Sequence, residues 1–155
     1  MKAIIQRVLR ASVYADGAFC GKIDKGLYIL LGVEADDDKT DAELLCNKIV
    51  KLRIFSDEND KMNLSLLDVG GDAMVVSNFT LNANYEHGNR PDYFSGASPA
   101  LAEELYEYFK SLIKKVITKV ECGEFGADMK TEMVTDGPVT IFMESKKLRK
   151  GKNKL

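Results

Sequence analysis

Side chains that could act as a catalytic base are scarce in this chain. Its 155 residues include one histidine, His87, which stands between Glu86 and Gly88 in a polar stretch. A Ser-His-Asp or Cys-His catalyst would have to use this residue, and its polar, flexible surroundings do not favour that role. The sequence also lacks an H-E-x-x-H pair, an EF-hand loop and a P-loop, as well as an isolated pair of carboxylates on an apolar strand. If the chain is an enzyme, backbone groups or the substrate itself must carry much of the chemistry.

Cysteines and long apolar runs are also few. Cys20, Cys46 and Cys122 are widely spaced and form no C-x-x-C pair, a pattern that excludes a disulfide framework or zinc site and is typical of buried or incidental thiols. No run reaches the ~18 apolar residues of a membrane span, and the first seven residues do not resemble a signal peptide. We therefore expect a cytoplasmic protein without a metal, a cofactor or a membrane contact.

Basic residues are distributed unevenly along the chain. The last ten residues hold six of the 22 basic residues and none of the 24 acidic ones, so the first 145 residues carry a formal net charge of −8. Such a tail is typical of a frayed, solubilising C-terminus, but it could also contact a polyanion. The acidic body argues against broad RNA binding, and we expect no DNA partner. Residues 1–145 are predicted to form one domain and residues 146–155 a basic tail.

The hydrophobic pattern predicts strands interrupted by two main helices. Alternation over 1–14, a turn at Asp16-Gly17 and a nearly continuous apolar run over 27–33 indicate three strands, the last buried on both faces. Thr40 and Glu43 match a capping box at the start of the first helix, and Ser98-Pro99 is typical of the start of the second. The predicted order is β-β-β-α-β-β-α-β-β-β, which favours an α+β fold with a mixed sheet covered by helices.

Two short segments combine polar side chains with residues that can take unusual backbone conformations. Residues 77–80 (SNFT) place two hydroxyls and an amide at the end of an apolar strand, and residues 136–140 (DGPVT) begin the last predicted strand. Gly before Pro permits unusual backbone angles, and an X-Pro bond can be cis at modest cost. The second segment could also be a plain turn.

Taken with their surroundings, these segments resemble the D-aminoacyl-tRNA deacylases. The resemblance covers essentially all of residues 1–145. The matching segments, in order, are IQRV at 5–8, KGL at 25–27, LRIF at 52–55, KMNLS at 61–65, VVSNFTL at 75–81, GNRP at 88–91, GEFGADM at 123–129 and DGPVT at 136–140. The chain departs from the family pattern at Asn78, where the family has Gln, and at Thr135, where it has Asn. These departures bear on fine selectivity more than on the reaction.

The resemblance implies a homodimeric fold with a mixed, barrel-like sheet and an active site at the dimer interface. It implies hydrolysis of the ester between a D-amino acid and the 3′-terminal adenosine of tRNA, with removal of mischarged glycine as well. The Gly137-Pro138 dipeptide, with a cis bond, would enter the partner's pocket, where its carbonyl groups would bind the substrate ammonium and obstruct an L side chain.

The resemblance also assigns roles around the signature segment. In the family, the substrate's ribose 2′-OH activates water and backbone N–H groups stabilise the oxyanion. Ser77, Asn78 and Thr80 would then position the ester and the water, although Thr80 could instead be a nucleophile. Phe79 and Met129 would contact the adenine, or they could be core residues.

Two other functions remain open from the sequence. Asn78 and Thr135 would also fit an editor of L-Ala-tRNA, since a related animal group of deacylases departs at the same segments. The third possibility is a binding module that holds the RNA end without hydrolysing it.

Overall fold

The computed structural model describes residues 1–152 as a mixed sheet with helices packed on it. The strands are β1 (Lys2–Ala15), β2 (Ala18–Ile23), β3 (Gly26–Gly32), β4 (Phe55–Ser56), β5 (Met62–Leu64), β6 (Asp72–Ser77), β7 (Val120–Cys122) and β8 (Met129–Glu144). The helices are α1 (Lys39–Val50), α2 (Leu66–Val69), α3 (Pro99–Lys114) and α4 (Ser145–Lys152), and a 3-10 turn spans Phe79–Asn82.

The main sheet has six strands and is nearly closed into a barrel. Its path runs β2-β1-β3-β6-β7, and β8 pairs with the other edge of β1. The β3–β6 and β6–β7 pairs are parallel, whereas β1 is antiparallel to β2, β3 and β8. The ends of the path lie against each other, because a Cβ added to Gly21 of β2 would stand 2.6 Å from the Glu121 carboxylate on β7. The predicted mixed, barrel-like sheet is confirmed.

Two apolar clusters fill the space around this sheet. The larger cluster joins the sheet to α1 and α3, which bury the predicted positions Leu45, Ile49, Leu105 and Phe109. The smaller cluster lies around Val8, Val13, Tyr28, Met74 and Val76. Strand β3 contributes to both clusters, which explains its nearly continuous apolar sequence.

Helix α1 begins earlier than the sequence pattern predicts. The N-cap is Asp38, whose side chain accepts from the backbone N–H groups of Thr40 and Asp41, and the Asp41 side chain accepts from the Asp38 N–H in return. The predicted capping box at Thr40 and Glu43 is therefore wrong by two residues. A carboxylate caps a helix as well as a hydroxyl does. Because three aspartates precede Lys39, the sequence alone does not show which of them is the N-cap.

The strands predicted at the end of the chain are joined in the structure. The last two predicted strands form one strand, β8, whose pairing with β1 shifts register between the partners of Gln6 and Val8. The Gly137–Pro138 peptide bond lies in this irregular stretch and is cis, as expected.

Helix α4 occupies most of the segment predicted as a tail, and ion pairs join it to the body. Lys146 lies 3.0 Å from Asp36, and the Arg149 guanidinium donates to Asp38 at 2.6 Å and to Asp41 at 2.7 Å. The division into a domain over 1–145 and a tail over 146–155 stays a prediction, and residues 153–155 lie outside the described residues. Within residues 1–152, no helix is both long and apolar enough to cross a membrane.

Candidate active site

A cavity of about 600 Å³ opens where β3, β6 and β8 meet the start of α3. Its wall is largely apolar and aromatic, with a few neutral polar groups. Of the residues predicted for the site, Ser77, Asn78, Phe79 and Met129 line it. The other lining residues include Tyr28, Tyr93, Ala97, Tyr106, Phe125 and Thr131.

The end of β6 places the signature segment in this wall. Ser77 pairs with Leu31 of the neighbouring parallel strand, and the Asn78 N–H donates to the Leu31 carbonyl at 2.8 Å. The chain then turns into the 3-10 turn, and the carboxamide oxygen of Asn78 caps it by accepting from the Thr80 N–H at 3.2 Å. Because the carboxamide oxygen already accepts from Thr80, the NH₂ group is the part of the Asn78 side chain that is left to bind a ligand, as a hydrogen-bond donor.

Thr80 is exposed and is not part of the cavity wall. Its hydroxyl donates to the same carboxamide oxygen of Asn78, and within residues 1–152 it is not among the residues lining the cavity. An amide oxygen is too weakly basic to withdraw a proton from a hydroxyl, so this contact orients Thr80 without activating it. The geometry therefore favours a positioning role for Thr80 over a nucleophilic one.

Phe79 lies at the mouth of the cavity and is not a core residue. It is 67% exposed, and its ring meets that of Tyr93 edge to face with centroids 5.0 Å apart. The alternative of a buried core Phe79 is wrong, because β6 has already ended at Ser77 and the 3-10 turn directs the next side chain outward.

Met129 and Tyr28 form the deeper part of the cavity. Met129 packs against the smaller apolar cluster and also lines the cavity; core packing is confirmed, and contact with the adenine stays a prediction. It covers Gly123 so closely that a Cβ there would stand 2.4 Å from the Met129 sulfur. The Tyr28 hydroxyl lies 2.9 Å from the Thr131 hydroxyl, and burial raises the pKa of Tyr28, which keeps the phenol a neutral hydrogen-bonding group.

Sequence reasoning missed the aromatic residues that complete the cavity wall. Tyr28 and Tyr106 belong to regular elements whose patterns indicate only burial, and nothing in the pattern distinguishes a wall from a core. Burial raises the pKa of Tyr106, whose hydroxyl donates to the Val75 carbonyl at 3.0 Å. Phe125 is the exception, since it lies in the GEFGADM segment at 123–129 that carries the family resemblance, although no role was predicted for it.

Gly137 and Pro138 lie outside the cavity of their own chain. Both are exposed on β8, and Arg7 contacts Asp136, the residue before them. The Arg7 guanidinium lies 3.3 Å from the Asp136 carbonyl and 3.1 Å from its carboxylate, and it donates to the Ile54 carbonyl at 2.6 Å. Within one chain, therefore, the two predicted halves of the site do not meet.

One group of carboxylates could in principle hold a metal ion. The side chains of Glu34, Asp36 and Asp37 approach within 4.8 Å of one another. The chain's own cations already surround them, because the Met1 amine contacts Asp37 and Lys146 lies 3.3 Å from Glu34. The cluster therefore joins the start of β1 to α4.

Comparison with known proteins assigns the chain to a family. Residues 4–144 match the family model described as D-Tyr-tRNA(Tyr) deacylase. A D-aminoacyl-tRNA deacylase of Caldicellulosiruptor saccharolyticus is 54% identical, covering 96% of this chain and 99% of that protein. One of Thermosipho africanus is 51% identical, with the same coverage. The chain belongs to the D-Tyr-tRNA deacylase family, and the predicted enzyme class, a hydrolase of the aminoacyl-tRNA ester, is confirmed.

Solved structures share the fold of this chain. One titled c-Myc DNA Unwinding Element Binding Protein superposes with a TM-score of 0.88 at 37% identity, covering 93% of this chain and 98% of that one. Another, titled as a probable eukaryotic D-amino acid tRNA deacylase, gives a TM-score of 0.82 at 11% identity, with 92% and 98% coverage. At that low identity the second likeness establishes the fold alone.

Proposed function

We propose that this chain hydrolyses the ester between a D-amino acid and the 3′-terminal adenosine of tRNA, as a chirality proofreading step of translation. The observation that carries the proposal is the cavity at the end of β6. It combines neutral hydrogen-bonding groups from Ser77 and Asn78 with the exposed aromatic rim of Phe79, in a member of this family. A nucleoside ester needs those features, because its base stacks on an aromatic ring and its ester carries no charge.

The hydrolytic step uses backbone donors and the substrate rather than a side-chain base. The Phe79 N–H begins the 3-10 turn, so it has no acceptor within that turn. The next two N–H groups already have acceptors. The Thr80 N–H donates to the Asn78 side chain, and the Leu81 N–H donates to the Asn78 carbonyl. The Phe79 N–H is thus the donor left for the oxyanion. In this proposal the ribose 2′-OH activates the attacking water.

The side chains around this donor hold the substrate. Ser77 and the Asn78 amide position the ester and the water, and the Thr80 hydroxyl orients the Asn78 carboxamide by donating to its oxygen. Phe79 and Met129 contact the adenine. The aminoacyl ester is already activated, so positioning and one oxyanion donor supply the modest catalysis that is needed.

The proposed site is completed by a second copy of the chain. The Gly137-Pro138 dipeptide is exposed, held by the Arg7 contacts and separated from its own cavity, as a group inserted into a partner would be. Nearby surface is apolar, with Phe142 on β8 53% exposed and Leu9 on β1 50% exposed. A homodimer would cover these side chains. The inserted carbonyl groups would obstruct an L side chain and leave a D side chain free, while glycine has no side chain to obstruct.

We further propose that the partner is tRNA and not DNA, and that the reaction takes place in the cytoplasm. The net charge of −8 on residues 1–145 disfavours electrostatic binding along a nucleic-acid duplex. Affinity would instead come from capture of the acylated end.

Hydrolysis of D-Tyr-tRNA and L-Tyr-tRNA tests the proposal. We expect the D ester to disappear far faster than in buffer and the L ester to decay at the buffer rate. Equal decay of both esters, no faster than in buffer, would refute the proposal. Preferential hydrolysis of L-Ala-tRNA would instead support the editor that Asn78 and Thr135 also fit. Tight binding without turnover would indicate a binding module, and competition by duplex DNA would contradict the choice of tRNA.

A further inference from the structure

An exposed row of aromatic side chains leads away from the mouth of the cavity. Phe79 is 67% exposed at the rim, Tyr93 is 37% exposed and packs edge to face on it, and Tyr85 is 78% exposed. Large aromatic side chains with this much surface in water are a feature of binding sites rather than of a folded core.

A small hairpin brings the backbone before Tyr85 next to the backbone before Tyr93. Asn84 and Asp92 form an antiparallel bridge with two backbone hydrogen bonds, of 2.8 and 2.9 Å. Tyr85 follows one partner of this bridge and Tyr93 follows the other, so both side chains leave the face opposite to that of Asn84 and Asp92. Residues diagonal to each other on such a ribbon stand roughly 7–8 Å apart. We call Phe79, Tyr93 and Tyr85 the aromatic row.

The spacing and chemistry of the row fit a single strand of RNA. Successive bases of an extended strand stack on successive aromatic side chains, and the contact tolerates any base because every base has a π-face. The same hairpin carries Arg90, which is exposed and can meet a phosphate. The row is also continuous with the cavity, where the proposed function places the terminal adenosine.

We propose that the aromatic row binds the 3′ end of the RNA strand, with Phe79 at the terminal adenine and Tyr85 stacking on a base of the unpaired nucleotides that precede it. This inference rests on the proposed function for the position of the adenosine. It assigns Tyr85, which lies outside the cavity wall, a role in holding the RNA end and none in the chemistry.

Binding of a trinucleotide and a mononucleotide separates the row from the cavity. The probes are 5′-CCA-3′ RNA and adenosine 5′-monophosphate, titrated by NMR into the full chain. We expect Tyr85→Ala to weaken trinucleotide binding by roughly 5- to 150-fold, the loss that corresponds to one base–aromatic stack. The affinity for the mononucleotide should stay at the wild-type value. Tyr85→Phe keeps the ring and should bind both probes as the wild type does.

Phe19→Ala is the matched control, because Phe19 is a 59% exposed aromatic residue on β2 that does not line the cavity. It should leave both affinities unchanged. Trinucleotide binding by Tyr85→Ala at the wild-type affinity would overturn the inference. The inference would also be overturned if Tyr85→Ala sedimented as a smaller species than the wild type while keeping the wild-type affinity for the trinucleotide. The aromatic row would then be a contact between copies of the chain.

Activity of the wild type toward D-Tyr-tRNA, measured on the same preparations, keeps the two claims distinguishable. Absent hydrolysis would refute the proposed function, while the Tyr85 comparison alone decides the aromatic row.

Discussion

Replacing Thr80 with Val distinguishes a positioning hydroxyl from a nucleophile. Val has nearly the shape of Thr, so the change removes the O–H and little else. In the structure this O–H donates to the Asn78 carboxamide oxygen, which also accepts from the Thr80 backbone N–H. The carboxamide therefore keeps one of its two donors in the variant, and the 3-10 turn keeps its cap.

The size of the expected effect follows from that single lost contact. A neutral hydrogen bond contributes about 0.5–1.5 kcal/mol net, which corresponds to a fall in kcat/KM of roughly 2- to 13-fold. Loss of a covalent nucleophile costs three orders of magnitude or more. The two accounts of Thr80 thus differ by at least about a hundredfold.

The assay is hydrolysis of D-Tyr-tRNA labelled at the phosphate that precedes its 3′-terminal adenosine, with Thr80→Ser as the control that keeps a hydroxyl. We expect Thr80→Val to stay within roughly 13-fold of the wild type. A folded Thr80→Val protein with activity reduced more than roughly a thousandfold, beside an active Thr80→Ser protein, would refute the positioning role. Substrate ending in 2′-deoxyadenosine complements the test, because the proposed mechanism requires its hydrolysis to be severely slowed.

Three other changes test the fold and the site. Burial alone would raise the pKa of Asp41, but hydrogen bonds, first among them that from Arg149, hold it at about 2, below its ordinary 3.8. This stabilisation is full above pH ~4 and is lost as the pH falls toward ~2, so Arg149→Met should lower the free energy of unfolding at neutral pH and have a progressively smaller effect toward pH 2, as measured by urea unfolding. A cost independent of pH would contradict the ion pair. Tyr106→Phe should cost only about 0.5–1.5 kcal/mol of unfolding free energy, because a backbone N–H also donates to the Val75 carbonyl; a loss above about 3 kcal/mol would show that the cavity wall depends on the hydroxyl. Gly137→Ala places a side chain at φ +124°, with its Cβ 2.9 Å from the backbone nitrogen two residues on; it should reduce D-Tyr-tRNA hydrolysis while adenosine 5′-monophosphate binds normally, and full activity would exclude that loop from the site.

The sheet and the two main helices could be predicted because their sequences repeat with the period of the structure. Leu45 and Ile49, like Leu105 and Phe109, are spaced so that both members of each pair face the sheet. Strand β3 was recognisable because it is buried on both faces. The signature segment was recognisable by its polar groups at the end of an apolar strand.

Helix α4 could not be predicted because no apolar stripe marks it. Its position depends on long-range ion pairs, from Lys146 to Asp36 and from Arg149 to Asp38 and Asp41. A basic segment with no visible partner has the composition of a solvated tail. Only the fold brings the acidic start of α1 to it.

The rim of the cavity could not be predicted from the sequence for a similar reason. Tyr93 lies in a stretch without periodicity, and its contact with Phe79 depends on the bridge between Asn84 and Asp92. Asn78 shows the limit of motif reasoning, because its role as the cap of the 3-10 turn depends on backbone geometry that a residue type does not specify.

The most direct test of the account mixes two inactive variants, since the proposed site takes its cavity from one copy and its Gly137-Pro138 dipeptide from the other. One variant is Gly137→Ala; the other carries Phe79→Ala and Ser77→Ala in the cavity. After unfolding and joint refolding, half of the dimers contain one copy of each, and each of these has one site with both halves intact. The account predicts recovery of D-Tyr-tRNA hydrolysis to about a quarter of the wild-type rate. A mixture as inactive as its two components would contradict it.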